Sequence, residues 1–509
     1  MKSPGPEPQS QAGTMQKLKT ALWALGMAAV VNAFPLVQWF ETDQLYYANA
    51  YDEPTRLNYE VSLASEGLFR LSQFLVTGLH EAGFSGGQIN ILFDSVLVLL
   101  LFVLTKKLFE IAGISPEKAR LFAVVFLVLP LLVGRSNPLY SALFDRVLYS
   151  SLGSWLVMSE AYFPPWMRTP EPQLSWVMMA LASLVSLRLR RFWPLYLIVP
   201  FLYLFVQIPY LFTVLSLHAI FRVRSRRINV PFRAILLGVY ALLCLGLYLA
   251  YRLLIKGSIQ DSFLVKTHAP LISLTGLLIL VVLMVWGRRI SEERRRLCWI
   301  LAGAVWAAAN TQLVTGFFTQ PGNFEQYFGS QALALVLVCV LDGFQLSRPA
   351  KVGLGVFCCL LLIMFSRHVF LINHHPWQRN PLPKEILLEL ERDSNRVLAD
   401  SPWLASVLGL IHPRQAITAL DPSQTFYSLA YKKIDSYRCL RHRLLSHPDW
   451  KKRFGPLIHQ IDNGYRYLHS DFILIHLNRP HYPKAVFEFQ TPPENCGKSK
   501  LVFVPDPPE

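Results

Sequence analysis

The run FWPLYLIVPFLYLFVQIPYLFTVLSLHAIF, residues 192–221, lies between two basic clusters, Arg188-Leu189-Arg190-Arg191 before it and Arg222-Val223-Arg224-Ser225-Arg226-Arg227 after it. One helical crossing of a bilayer takes about 20 residues, and this run is half as long again. A single crossing would also set the two clusters on opposite faces, against the excess of Lys and Arg that cytoplasmic loops carry. The run therefore predicts a hairpin of two short helices. Its break is expected near Gln207-Ile208-Pro209, because proline removes a donor and interrupts a helix.

The same rule orders the rest of the chain. Lys17 and Lys19 precede the apolar stretch Ala21 to Phe40, which resembles a signal anchor. Ile89 to Thr105 ends at Lys106-Lys107, Arg120 to Gly134 leaves from that side, and Gln173 to Leu187 returns to Arg188. Phe232 to Leu253 goes out. Leu271 to Trp286 returns to Arg288-Arg289 and Arg294-Arg295-Arg296, and Leu297 to Gly316 goes out again. Gly329 to Leu346 returns to Arg348 and Lys351, and Val352 to Leu371 makes a last outward crossing. The expectation is about eleven spans with the N-terminus in the cytosol and the C-terminus outside, every basic cluster between spans lying inside.

Composition agrees. Hydrophobic residues make up 53% of 509 and charged residues 16%, where a soluble domain carries about 25% charged. A net charge of +16 would fit nucleic acid, but the Lys and Arg residues sit in short clusters between apolar segments, so no nucleic-acid partner is expected. The fold class expected is an all-α polytopic membrane bundle with a C-terminal α/β extracytoplasmic domain. The domains are a disordered Pro/Ser/Gln-rich cytosolic tail (1–16), a transmembrane region (17–372) with outer loops 41–88, 135–172 and 319–328, and the outer domain (373–509). In that domain Arg396 to Asp400, Gln415 to Ala419, Phe472 to His476, Ala485 to Phe489 and Leu501 to Val504 are expected strands, and 402–410 and 425–433 helices. No glycine-rich phosphate loop opens a helix there. Cys439 and Cys496 could bridge if the domain is outside the cytosol. The chain has no Asn-x-Ser/Thr sequon, and a bacterial inner membrane with the tail in the periplasm is expected.

Three outer segments carry chemistry. The first, Phe40 to Arg56, packs Glu41, Asp43, Asp52 and Glu53 at the mouth of the first span, where carboxylates are costly to keep ionised without water, a cation or a cationic partner. An amphipathic helix from Thr55 to about His80 is expected to lie over it in the interface, with Leu57, Val61, Ala64, Leu68, Leu71 and Leu75 on one face. The second holds Arg135, Arg146 and Arg168-Thr169-Pro170-Glu171-Pro172-Gln173. A guanidinium held at headgroup depth presents a rigid donor fork to a phosphate, although snorkelling arginines are common at such positions. The third, Gln320 to Phe328, sets Glu325 and Gln326 among the rings of Phe324, Tyr327 and Phe328, as sugar rings are often held. An interfacial aromatic belt is the competing explanation.

This layout resembles the GT-C superfamily of integral-membrane glycosyltransferases: a first span followed at once by acidic pairs, an interface helix, many spans and an outer C-terminal domain. The segments Arg168 to Gln173 and Asn323 to Tyr327 are similar to segments of poorly characterised bacterial members. No loop carries the complete signature of a well-studied family. The resemblance implies a polyprenyl-phosphate-linked sugar as donor, the bilayer as medium, and a glycan, lipid or protein acceptor. It implies catalytic roles for Asp52, Asp43, Glu53 and Glu41, a donor-phosphate site at Arg168, Arg135 and Arg146, and substrate contacts at Glu171, Gln173, Glu325, Gln326 and Tyr327. Some members place a divalent metal at the first-loop acids, and clustered hard oxygens would suit Mg²⁺ or Mn²⁺. Two other functions fit the layout less well. A polymerase or ligase of lipid-linked glycans would need the long second loop but not the first-loop acids. A transporter would need ionisable groups at mid-membrane depth; Asp94 is the clear interior candidate, and no internal repeat accompanies it.

Overall fold

The computed structural model describes residues 9–32, 71–84, 86–133, 156–157, 171–225, 270–315, 321–344, 346–379, 396–399, 417–419 and 501–504, and these are almost entirely helical. The helices are α1 (Gln9–Val31), α2 (Leu71–Glu81), α3 (Gly86–Ile111), α4 (Pro116–Val128, continued as a 3₁₀ turn Leu129–Val133), α5 (Gln173–Leu189) and α6 (Trp193–Leu197, followed by a 3₁₀ turn Val199–Phe201). There follow α7 (Leu204–Ser225), α8 (Leu274–Trp286), α9 (Glu292–Ala309), α10 (Gln312–Thr315), α11 (Pro321–Phe324), a π turn (Glu325–Gly329), α12 (Ser330–Gly343) and α13 (Arg348–Arg379). Two helical stretches, Gln88–Ile111 and Gly322–Gly343, are long and apolar enough to cross a membrane, and Leu18–Ala29, Gln173–Leu189 and Phe205–Ile220 are shorter apolar helices.

The helices pack around two apolar cores that share α5 and α12. One core gathers α1 to α4 and α13 through residues such as Met27, Phe93, Phe102, Phe122 and Cys358. The other gathers α6 to α9 through Tyr196, Val206, Ile279 and Val305. Leu174, Val177 and Ala334 serve the first core; Met179, Ala182 and Leu333 serve the second. Outward faces are apolar too: Leu92, Val96, Leu100 and Val103 form one exposed row on α3, and Val352, Val356, Leu360 and Ile363 another on α13. Rows at this spacing leave a helix apolar on both sides.

The expected hairpin is present but not as two short helices, and its break is moved: α6 has five residues and a 3₁₀ turn, whereas α7 is one helix of 22 residues. The Phe192 ring stacks on His218 at 4.8 Å and Tyr196 Oη lies 2.8 Å from His218 Nδ1, so the start of α6 and the last turns of α7 are level, and Arg190–Arg191 and Arg222 leave the same end of the bundle. The chain turns at residues 198–203, not at 207–209. Pro200 lacks the N–H that would continue α6, Leu202 is extended, and the Val199 carbonyl accepts both from the Leu202 N–H at 3.2 Å and from Gln207 Nε2 at 2.9 Å. Pro209 stays inside α7, near its start, where the Thr213 hydroxyl donates to the Pro209 carbonyl at 2.8 Å.

The other basic segments meet at one end. Arg294 bonds the Asp342 carboxylate, Arg294 Nη2 donates to Ala112 O at 3.1 Å, and Lys118 lies 3.8 Å from Asp342. The ends of α3, α4, α9 and α12 are thereby tied together, and Arg289 stacks over Phe344 at 4.7 Å.

Three boundaries differ from expectation. Helix α1 begins at Gln9, within the stretch expected to be disordered, because Gln, Ala, Met and Lys there all favour helix. Residues 321–328, within the expected outer loop 319–328, are helical, since Phe324, Tyr327 and Phe328 bury their rings inside the bundle. Of the expected interface helix only α2 is described; it buries Ser72 and Val76 and exposes Phe74. The expected span Phe232 to Leu253 lies outside the described residues. In the tail, β3 (Arg396–Ala399) pairs in parallel with β4 (Ile417–Ala419) on one side and β5 (Leu501–Val504) on the other, in the order β4-β3-β5. These are three of the expected strands; the expected strands Phe472 to His476 and Ala485 to Phe489, both tail helices, and Cys439 and Cys496 lie outside the described residues.

Two glycines test this packing. A Cβ on Gly343 would overlap the Arg289 carbonyl oxygen, which is backbone and cannot swing away, whereas a Cβ on Gly353 meets nothing within 4 Å. Gly343→Ala is expected to destabilise by about 1–3 kcal/mol. Gly353→Ala is expected to be neutral or to stabilise by up to about 1 kcal/mol. Thermal unfolding of the detergent-solubilised protein should show opposite shifts, and equal shifts would refute the close approach of α12 to the Gly287–Arg289 turn.

Candidate functional site

At the end of the bundle opposite the basic cluster, helix starts face the interior. A helix start leaves its first N–H groups without partners, and in an apolar interior each must find one. Two buried carboxylates meet this need. Glu171, 3% exposed, accepts from the Ser175 N–H at 3.3 Å and from the Ser175 hydroxyl at 2.6 Å, closing the first turn of α5. Ser175 Oγ in turn accepts from the Tyr203 N–H at 2.8 Å, at the tip of the α6–α7 hairpin. Glu325, 0% exposed, accepts with Oε2 from the Thr275 N–H at 3.0 Å and from the Thr275 hydroxyl, at the start of α8. The Ser273 hydroxyl caps the same helix by accepting from Gly276 N–H at 2.9 Å.

Rings join the two anchors. Trp176 Nε1 donates to Tyr327 O at 3.0 Å, and its ring stacks on Phe328 at 5.9 Å. Tyr203 meets Tyr327 edge-on at 5.5 Å, and Phe205 meets Phe324 at 5.1 Å. Gly329 permits the approach of α8, because a Cβ there would overlap the Thr275 hydroxyl. The π turn Glu325–Gly329 thus faces α8 through Glu325 and α5 through Tyr327 and Phe328. Such turns are frequent at functional sites.

A second polar chain runs through α1, α3 and α5. Gln173 Nε2 donates to Asp94 Oδ1 at 3.1 Å, and Asn32 Nδ2 donates to Ser95 Oγ at 3.2 Å. Asp94, Asn90, Gln173 and Asn32 are all buried. Asn32 ends α1 and Gln173 starts α5, so the two helix ends meet α3 at consecutive positions, Ser95 and Asp94.

Of the residues expected to contact substrate, Glu171, Gln173, Glu325, Gln326 and Tyr327 lie at this one end, and all are buried. The expected catalytic acids Asp52, Asp43, Glu53 and Glu41 and the expected phosphate ligands Arg168, Arg135 and Arg146 lie outside the described residues. Among the described residues no group of three or more His, Cys, Asp or Glu side chains could hold a metal ion.

Sequence reasoning missed Ser175, Thr275, Ser273, Tyr203 and Asn310. Asn310 accepts from the Leu271 N–H at 2.7 Å and donates to the Leu271 carbonyl at 3.0 Å, fastening the end of α9 to the start of the α8 segment. The available signal was Ser273-Leu274-Thr275-Gly276, a capping serine ahead of an apolar run. No family model, curated protein or solved structure matches this chain.

Glu171→Ala removes an acceptor from two buried donors and is expected to cost about 1–3 kcal/mol. Glu171→Gln, whose amide oxygen still accepts from Ser175, should cost less. Unfolding temperatures in detergent that are equal for wild type and Glu171→Ala would show that Glu171 does not anchor α5.

Proposed function

We propose that the protein is a membrane glycosyltransferase of GT-C type, moving a sugar from a polyprenyl-phosphate donor to an acceptor on the face opposite the basic clusters. The observation that carries this reading is that Asn32, at the end of α1, and Gln173, at the start of α5, bond consecutive residues of α3, Ser95 and Asp94. The acidic loop 41–88 follows Asn32 after eight residues, and Arg168 stands five positions before Gln173. The segments that carry the proposed base and phosphate ligand are thus connected to helix ends that meet α3 at neighbouring positions. Exposed apolar rows on α3 and α13 support a lipid environment, and the convergence of Arg and Lys at the other end supports a cytosolic placement for it.

In the proposed reaction Asp52, with Asp43 next, takes the proton of the acceptor hydroxyl. The acceptor oxygen bonds to the anomeric carbon as the bond from that carbon to the phosphate oxygen breaks, with inversion, and the lipid phosphate leaves with the electron pair. Arg168 meets the charge that develops there, with Arg135 or Arg146 as the further cation. The buried Asp94 is the one observation that favours a transporter instead; that reading requires cation- or proton-coupled uptake abolished by Asp94→Asn.

Asp52→Ala and Arg168→Ala should each lower transfer from a polyprenyl-phosphate sugar, in purified membranes, by about 100-fold or more, and Asp43→Ala by less. Full activity in all three variants would overturn the proposal.

A further inference from the structure

The long second loop, residues 135–172, carries every arginine assigned to the donor phosphate, and two of its points are fixed by described residues. At its end stands Glu171, bonded to the first turn of α5. In its middle, Leu156 and Val157 form a short strand, β1, that pairs in parallel with β2 (Ile272–Ser273), in the register Leu156↔Ile272 and Val157↔Ser273. Strand β2 runs straight into α8. Only one residue separates Ser273 from Thr275, the residue that Glu325 grips with both its N–H and its hydroxyl.

Glu325 is poorly suited to touch a sugar. It is fully buried, and its Oε2 is committed to Thr275. Its backbone lies on the π turn, which Trp176 holds to α5 through Tyr327 O. Thr275 is brought against that turn at Gly329. The carboxylate therefore sits where α8, the π turn and, through β2, the long loop are held in one arrangement.

We infer that Glu325 is a positioning residue: by clamping the start of α8 it holds β2, the strand against which Leu156 and Val157 of the second loop are paired. The role in transfer rests on the glycosyltransferase reading; the docking does not. Misplacement of a catalytic group by about 1 Å can cost about 100-fold in rate, so a residue that touches no substrate can still govern turnover.

The test uses the full-length protein with Leu156→Cys and Ile272→Cys introduced together. Cα partners on neighbouring strands lie about 5 Å apart, inside the span of a disulfide. Copper-phenanthroline with oxygen supplies the oxidant, and each single-cysteine variant serves as control for the native thiols. Crosslinking is expected to be fast with Glu325 present, at least about fivefold slower with Glu325→Ala, and restored with Glu325→Gln, whose amide oxygen still accepts from Thr275. Thr275→Val, which keeps the N–H and loses the hydroxyl, should fall between and decides the matter if Glu325→Ala does not fold. In transfer assays Glu325→Ala should lower kcat by about 10- to 100-fold with little change in the acceptor KM, and closing the disulfide should recover most of it. An unchanged crosslinking rate in both Glu325→Ala and Thr275→Val would overturn the inference. Slower crosslinking in a protein whose wild type transfers no sugar would uphold the docking role and overturn the glycosyltransferase reading.

Discussion

The described bundle depends on one constraint: a helix that starts in an apolar interior must have its first N–H groups satisfied by side chains, because no water is there to do it. Glu171 and Glu325 answer this demand at α5 and α8 in different ways. Glu171 stands just ahead of its own helix and closes the turn locally. Glu325 comes from another helix, so its bond to Thr275 is also a tertiary link between α8 and the π turn. Removing the first frays a helix end. Removing the second also separates two elements.

The π turn follows from the same demand. The one extra residue it accommodates shifts the side chains of the segment, so that Glu325 reaches α8 while Tyr327 offers its carbonyl to Trp176 and Phe328 its ring. One of its carbonyls is met nearby: Ser330 Oγ donates to Gln326 O at 2.7 Å. Farther along the same helix, Gln331 Nε2 donates to Phe126 O at 2.7 Å, tying α12 to α4. A regular helix here would turn one of those contacts away.

How much of this was legible in the sequence depended on the range of the interaction. Basic clusters around 188–191 and 222–227 fixed a hairpin, because charge placement is read from the sequence alone and does not need the partner to be known. The break lies elsewhere than at Pro209, the more conspicuous signal, because α7 carries that proline inside it, forfeiting one i→i−4 bond without ending, while Pro200 falls where α6 has already ended at Leu197. The roles of Glu325 and Gln173 were not legible. Their partners lie 50 and 79 positions away, and nothing local distinguishes a carboxylate that caps a distant helix from one that meets a ligand. The acidic run after α1 was conspicuous for the opposite reason: several costly charges fall together, and their sum shows without any fold.

Burial of all five residues expected to contact substrate divides the labour at this end of the molecule. A group that binds a diffusing substrate must exchange partners, whereas a carboxylate fixed on buried N–H groups pays a desolvation cost each time it lets go. Glu171 and Glu325 are therefore better placed to hold the frame than to exchange partners with a ligand. Asn32, Gln173 and Ser273, at the end of α1 and before or at the starts of α5 and α8, each make a hydrogen bond inside the bundle.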